Sequence, residues 1–451
     1  MIVKNGGQNL RPCLESVQGI VSQIVIADTG STDNTVEIAR DFGATIMSVP
    51  WENHYAKARN AALEPVTTDW VLVLDADEEL DRESGKKIPQ LLNAADVGGY
   101  LTPIRNYVAT RFGRGWDRVA VSNDHPHERA KDAPAFIVHE NCRFFRRHKD
   151  IYFAGRVHEL VEHQIKGLGL KIQPANFFIH HFGQLLGKEV RDHKGVYYRD
   201  LLRLRVQDNP NDALGWIQLG LQEYEYFKNP EEALRCFEHA LTLDPRASEP
   251  WLFTAMIHID SLRYAEALKA VENDHREGQC AALREQVRGD ALHGLGRFKD
   301  ARMAYRKAAK LTPRGDAMLE SKIGYTEVKM GQKQTGLARL RRAARAVPGM
   351  YAIHDLLMKA CMISGRMDEA ADVAEKLSED SGSNFRLFLR AASLCAQLEQ
   401  WERTEHILER GLAKFPDSRE LRDVYAEVKA RKPSGVRESL EAAVVPQVTA
   451  G

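Results

Sequence analysis

Two acidic clusters follow apolar runs in this chain: VLVLDADEELD over residues 71–81 and IVIADTGSTD over residues 24–33. Asp75 and Asp77 stand two apart around a turn. Carboxylates so placed can hold a hard cation through oxygen, and Mg²⁺ or Mn²⁺ on few protein ligands keeps sites open for water and phosphate. Asp28, with the small Gly30 and Ser31 behind it, can accept hydrogen bonds from a base or ribose. The helix that follows offers its N-terminus to an anion. Together the clusters describe a site for a metal-bound nucleoside diphosphate, although a D-x-D or a capped turn taken singly is common on protein surfaces.

Such acids need a scaffold that brings apolar strands to an edge. A strand buried on both faces is continuously apolar, so its charges belong where it emerges. In open α/β sheets, ligands bind at the carboxyl ends of the strands. MIVKN, SQIVIAD, ATIMSVP and DWVLVLDAD are expected as strands, with NLRPCLESVQGI, TDNTVEIARDFG (capped by Ser31 or Thr32) and YAKARNAALEPV as the helices between them. Alternating strands and helices imply parallel crossovers and an α/β sheet.

The 451 residues exceed one ordinary core, so two or three domains are expected. Lys and Arg number 63, as do Asp and Glu, and this balance points to no nucleic-acid partner. No apolar run approaches the roughly 20 residues of a spanning helix, and the start lacks a leader, so a soluble, cytoplasmic protein without a transmembrane segment is expected. Cys13, Cys142, Cys236, Cys280, Cys361 and Cys395 form no C-x-x-C pair, which fits reduced, buried thiols.

The second half repeats. Ala233, Ala267, Ala301, Gly336, Ala370 and Thr404 are separated by 34, 34, 35, 34 and 34 residues. In the first copy, Trp216, Leu219, Gly220, Ala233, Phe237, Ala240 and Pro245 follow the tetratricopeptide order, with Tyr224 one place late. Prolines recur as Pro313, Pro348 and Pro416, each blocking continuation of a second helix. About six helical hairpins over residues 211–430 are expected, forming an all-α solenoid that suits a peptide or partner protein or could support a homodimer. Residues 431–451 lose the pattern and are expected as a flexible tail.

MIVKN, IVIADTGSTDNTVEIAR, WENHYAKARN and DWVLVLDADEEL, in that order, resemble a family 2 glycosyltransferase of GT-A fold, a Rossmann-like nucleotide-sugar-binding α/β domain, here over residues 1–205 and followed by tetratricopeptide repeats. The resemblance is continuous over about residues 1–80 and fainter to about 185. It implies inverting transfer from a UDP-sugar, with UDP-glucose or UDP-N-acetylhexosamine foremost, to a peptide, protein or saccharide acceptor, with Mg²⁺ or Mn²⁺. By position, Asp28 would contact uridine, Asp75 the ribose or the metal's water shell, and Asp77 the metal. Arg59 and Asn60 would shape the donor pocket. Glu159, where similar proteins carry an H-E pair, is the candidate base ahead of Glu140, and its plainer reading is a helix-surface glutamate. His181 is preferred to His180 as a late metal ligand. A cation bridging the phosphates would stabilise the charge that develops on departing UDP.

Other residues have bland readings beside functional ones. His125 and His127 in DHPHERA lack a second ligand pair for zinc and suit an exposed polar loop. Trp51 could stack on a sugar, or fill a strand end. Arg143 and Arg146 could meet phosphate or acceptor, or flank an edge strand. The pattern departs from its relatives at Gly6 and Gly7, where two acids are usual, and at Thr29, where a second Asp is common. Two rival readings follow: a repeat scaffold with a degenerate donor domain, and a nucleotidyltransferase, for which KNGGQNLR is a poor triphosphate loop.

Overall fold

The computed structural model describes residues 1–108, 114–115, 118–119, 121–123, 127–185, 188–275, 281–312, 316–348, 350–379 and 384–430. His125, Cys280, Pro313 and the expected tail over 431–451 lie outside the described residues. The chain forms two compact units, Met1–Asp244 and Pro245–Gly451.

The first unit opens with β1 (Ile2–Val3), α1 (Gly7–Val17), β2 (Val25–Asp28), α2 (Thr35–Asp41), β3 (Thr45–Ser48) and α3 (Tyr55–Leu63). As the alternation predicts, β1, β2 and β3 form a parallel sheet in that order. Leu10, Leu14, Ile26 and Ile38 pack between the helices and this sheet. The helix after Asp28 differs from expectation. It starts at Thr35, and Asp33 rather than Ser31 or Thr32 accepts from the Thr35 amide, at 3.0 Å.

The fourth expected strand leaves this sheet. β4 (Trp70–Leu72), β5 (Glu78–Leu80), α4 (Arg82–Gly85), β6 (Val97–Val108), β7 (Arg114–Gly115), β8 (Arg118–Val119), β9 (Val121–Ser122), β10 (Ala135–Arg146), α5 (Glu162–Gly167), β11 (Lys171–Pro174) and β12 (Ile179–His181) follow. β7 and β8 form a ribbon of their own. A second, mixed sheet runs β4-β10-β6-β12-β5, with β11 on β6 and β9 on β10. Here β4 lies antiparallel to β10, because the 12-residue strands β6 and β10 supply a paired edge long enough to capture it.

The β6–β10 ladder slips between Cys142 and Phe144, leaving Arg143 as the extra residue of a bulge. Cys142 and Phe144 thereby both remain buried, and a bulge re-aims the side chain it contains. Gly99 makes the slip possible, since a Cβ there would lie 2.5 Å from Cys142 Sγ.

α6 (Lys188–Asp208), α7 (Ala213–Leu221) and α8 (Pro230–Leu243) complete the first unit. The first helical hairpin, α7 with α8, thus belongs to the same compact unit as the sheets. Val157, Leu201, Leu202, Val206, Leu219 and Cys236 bury one cluster across the 151–161 segment, α6, α7 and α8. Arg205 pins the same junction, donating to Val157 O at 2.9 Å, Asp212 Oδ2 at 2.7 Å and Gln218 Oε1 at 2.8 Å. Between α7 and α8 the chain makes a π turn over Gln222–Tyr226. A π turn accommodates one extra residue, which accounts for Tyr224 standing one place late in the repeat.

In the second unit, Ser248–Asp260 pairs with Tyr264–Glu272, Ala281–Gly294 with Phe298–Leu311, Ala317–Lys329 with Lys333–Ala346, Tyr351–Ile363 with Met367–Glu379, and Phe385–Gln397 with Trp401–Lys414. The small repeat positions Ala233, Ala267, Ala301, Ala370 and Thr404 are fully buried. A second series marks the end of each first helix: Lys228, Leu262, Gly296, Gly331 and Glu399 have positive φ, as does Gly365. Their spacings of 34, 34, 35, 34 and 34 repeat those of the small residues, with Gly365 before Glu399. A left-handed residue after a helix lets the chain reverse while satisfying its last carbonyls.

Gly336 is the glycine among these repeat positions. A Cβ there would lie 2.4 Å from Gly324 O and 2.6 Å from a Val328 methyl carbon. Alanine ordinarily favours a helix over glycine by about 1 kcal/mol. Gly336→Ala is nonetheless expected to destabilise the protein by about 1–3 kcal/mol through overpacking. A urea-unfolding midpoint equal to or above that of the parent protein would show that the helices can separate at no cost.

Candidate active site

β2 delivers Asp28 to a loop that binds its own acid. The Asp28 carboxylate accepts from the Gly30 amide at 3.2 Å and the Ser31 amide at 3.1 Å, with Gly30 at φ 100°. This loop interlocks with the turn after β1. Asn5 Oδ1 accepts from the Thr32 amide at 2.8 Å, the Gly6 amide donates to Thr35 Oγ1 at 2.8 Å, and the Gly7 amide donates to Asp33 Oδ2 at 3.0 Å. A Cβ on Gly7 would lie 2.0 Å from Asn34 Oδ1, and one on Gly6 2.7 Å from a Val3 methyl carbon. Gly7 therefore allows close approach of the two loops, while Gly6 lets the turn fold back on β1. Thr29 is buried and donates to Val3 O at 3.1 Å, where a carboxylate would meet a carbonyl oxygen. An open cavity of about 540 Å³ adjoins Asp28, lined also by Val36, Arg40, Ala44, Ile46 and Ser48.

The acids after β4 do not all emerge into solvent. Glu78 and Glu79 lie in β5 and are 2% and 8% exposed. Glu79 meets Arg129 and, at 3.2 Å, His127 Nε2. Glu78 belongs to an alternating chain of charges running Glu159, Arg59, Asp75, Arg143, Glu78. Arg59 donates through Nε to Glu159 and through Nη2 to Asp75 Oδ1 at 2.8 Å. Arg143, aimed by its bulge, donates to Asp75 Oδ2 at 3.2 Å and to Glu78 Oε1 at 2.8 Å. Burial pushes the Asp75 carboxyl up, but the two guanidiniums outweigh it and hold the group far below the usual carboxylate range. Burial wins at Glu78, whose pKa is raised although Arg143 pulls against it. Arg59 is pushed down by burial, yet Asp75 and Glu159 keep it firmly charged.

Asp77 faces elsewhere. Its carboxylate lies 3.5 Å from His181 Nε2, and both side chains are 23% exposed. Burial pushes the two pKa values toward the neutral forms, but their contact prevails, lowering that of Asp77 and raising that of His181. His181 pairs with Asn106 across β12 and β6, and its Nδ1 lies 2.6 Å from Asn106 Oδ1. The next turn packs close against both groups, since a Cβ on Gly183 would lie 2.6 Å from His181 Nε2 and 2.8 Å from Asp77 Oδ2. An oxygen donor and a nitrogen donor that both keep some exposure fit Mg²⁺ or Mn²⁺ with phosphates and water completing the shell. Among the described residues, no group of three His, Cys, Asp or Glu side chains is placed to hold a metal.

Of the residues expected to act together, the structure joins Asp75, Arg59 and Glu159 in one ion-pair chain, and Asp77 with His181 in another contact. Asp75 is therefore committed to arginines rather than paired with Asp77. Asn60 stands apart from both groups: its amide donates to Phe153 O at 2.9 Å and accepts from the Phe153 amide at 2.8 Å. His180 is buried, with Nδ1 2.7 Å from the Tyr107 hydroxyl. His127 also differs from an exposed loop residue, packing 4.4 Å from the His180 ring centre. Arg146 donates to Val97 O and Ala94 O, Trp51 donates to the Tyr197 hydroxyl at 2.7 Å, and Glu140 is exposed in β10. Asn106 and Glu78 escaped the sequence reading. Glu78 stands beside another acid in the strand EEL and Asn106 beside Arg105 in VGGYLTPIRNYV, so nothing local set them apart.

Residues 1–152 match the family described as Glycosyl transferase family 2. Residues 213–246 match Tetratricopeptide repeat, and 252–327 match Tetratricopeptide repeat-like domain. A TPR repeat-containing protein of Synechococcus elongatus is 29% identical over 324 residues, covering 69% of this chain and 71% of that one. An uncharacterized glycosyltransferase of Rickettsia felis is 29% identical over 189 residues, 40% of this chain and 65% of its own length. Among solved structures, a tetratricopeptide repeat protein from Parabacteroides merdae covers 53% of this chain and 94% of its own at 13% identity, with a TM-score of 0.43.

Removing the central cation tests the charge chain. Arg59→Met leaves Glu159 and Asp75 without a shared partner, and breaking a buried pair in this way costs about 3–5 kcal/mol. A loss of that size is expected in denaturant unfolding. A loss below about 1 kcal/mol, the range of surface pairs, would mean that solvent already screens the cluster.

Proposed function

The chain carries a family 2 glycosyltransferase domain ahead of tetratricopeptide repeats, and from that premise we propose that it moves a sugar from a UDP-sugar to a peptide, protein or saccharide acceptor with a divalent cation. The observation that carries this reading is the partly exposed contact between Asp77 and His181, with Gly183 packed close beside both. Asp28 and the cavity beside it suit the base and ribose, which offer hydrogen-bond donors to a carboxylate. Asp75 borders the donor while Arg59 holds its charge, and Asn60 acts from behind by fixing the 151–161 segment through Phe153.

A cation held by Asp77 and His181 would neutralise charge on the departing diphosphate. In the proposed inverting transfer, an acceptor oxygen or nitrogen attacks the anomeric carbon from the face opposite the diphosphate. The sugar C–O bond breaks, its electron pair leaves on UDP, and the acceptor proton passes to a base. Glu159 is the proposed base, and Arg59 holds it through Oε1. The repeats over 211–430 would present the acceptor or a partner protein. Among the described residues, no helix is long and apolar enough to cross a membrane.

Calorimetric titration with UDP tests the reading. Binding is expected with Mn²⁺ and not with EDTA. Asp77→Ala, and Gly183→Ala, which presses a methyl group against both side chains, are each expected to weaken metal-dependent binding by about tenfold or more while thermal unfolding stays cooperative; tenfold is about 1.4 kcal/mol. Binding of GDP in place of UDP would change the donor. Silence with both nucleotides would favour a repeat scaffold carrying a degenerate donor domain.

A further inference from the structure

Asn106 lies buried in the middle of β6, where its amide nitrogen faces Ile104 O at 3.2 Å and Ile137 O at 3.1 Å. It also meets His139 Nδ1. Two carbonyl oxygens can only accept, so they fix which end of the carboxamide points toward them. If the amide were turned over, its oxygen would confront both carbonyls in a site with little water to relieve the repulsion. The Asn106 oxygen must therefore face His181 Nδ1, 2.6 Å away, and an acceptor there requires a proton on Nδ1. In the neutral imidazole, the lone pair is then on Nε2, the atom that points at Asp77.

We propose that Asn106 is a positioning residue that holds His181 in the Nδ1–H tautomer, so that Nε2 is presented as a cation ligand beside Asp77. This rests on the metal reading of the site given above and adds the means by which the histidine is prepared for it. The device works through register. β12 and β6 place His181 opposite Asn106, and β10 supplies the Ile137 carbonyl from the other side. Hydrogen bonds to the non-ligating nitrogen are what orient metal-binding histidines, and their loss generally lowers metal affinity about 10–100-fold.

The wild-type tautomer can be read without any variant. In ¹⁵N-labelled protein free of metal, in alkaline buffer, two-bond imidazole correlation spectra distinguish protonated from unprotonated ring nitrogens, and His181→Gln identifies the His181 signals. A protonated Nδ1 is expected, and a protonated Nε2 would overturn the proposal. Manganese affinity in the presence of UDP, followed by the electron paramagnetic resonance of free Mn²⁺, gives the second readout. Asn106→Ala is expected to weaken Mn²⁺ binding about 10–100-fold. In the His181→Gln background, the same substitution should cost nothing further. Equal affinities in Asn106→Ala and the parent, with His181→Gln weakened, would refute the role of Asn106 and leave the metal site standing. Parent-like affinity in both His181→Gln and Asp77→Ala would instead bring down the metal reading, and this proposal with it.

Discussion

The arrangement of the first unit depends on the pairing of three acids with two arginines inside a mixed sheet. Glu159, Asp75 and Glu78 alternate with Arg59 and Arg143, and each comes from a different place in the chain: the 151–161 segment, the turn after β4, β5, α3 and the β10 bulge. Buried charge is tolerable only when every member has a partner of good geometry. That requirement fixes the short turn between β4 and β5, because Asp75 must reach two guanidiniums while its amide donates to Glu78 Oε2 at 2.9 Å. It also bears on the bulge, which lets Cys142 and Phe144 bury in different clusters while Arg143 between them reaches the acids.

Holding Asp75 in this way separates the acids of the DAD turn by function. Asp75 is bound on both oxygens and stays ionised, whereas Asp77 turns to the partly exposed His181, with Gly183 close beside both. One carboxylate secures the turn and the next meets the histidine. A cation site with few protein ligands is compatible with this division, because phosphate oxygens and water can supply the rest of the shell.

The segment carrying Glu159 is held from two sides. Asn60 grips the Phe153 backbone, and Arg205 grips the Val157 carbonyl while also binding α7 through Asp212 and Gln218. Just past the second anchor, His158 has φ 52° and stacks on Tyr198 of α6. The first helical hairpin therefore contributes to the placement of a residue beside the acids. Its π turn, which accounts for Tyr224, distinguishes this hairpin from the copies that follow.

The sequence by itself determined the parallel strands β1–β3, the period of the helical repeat, and the acids at the ends of β2 and β4, because alternation, periodicity and charge are local properties that survive without coordinates. It also carried the motif order that identifies the transferase domain. Only the tertiary structure decided the partners. Charges remote in the chain found each other across strands, so that Glu159 and Asp75, 84 positions apart (159 − 75), share Arg59, while Asn60 serves a backbone rather than the acids. The capture of β4 by β10, the burial of Glu78 and the contact of Asn106 with His181 depended on register. A shift of one residue would turn each of those side chains to the other face of its sheet.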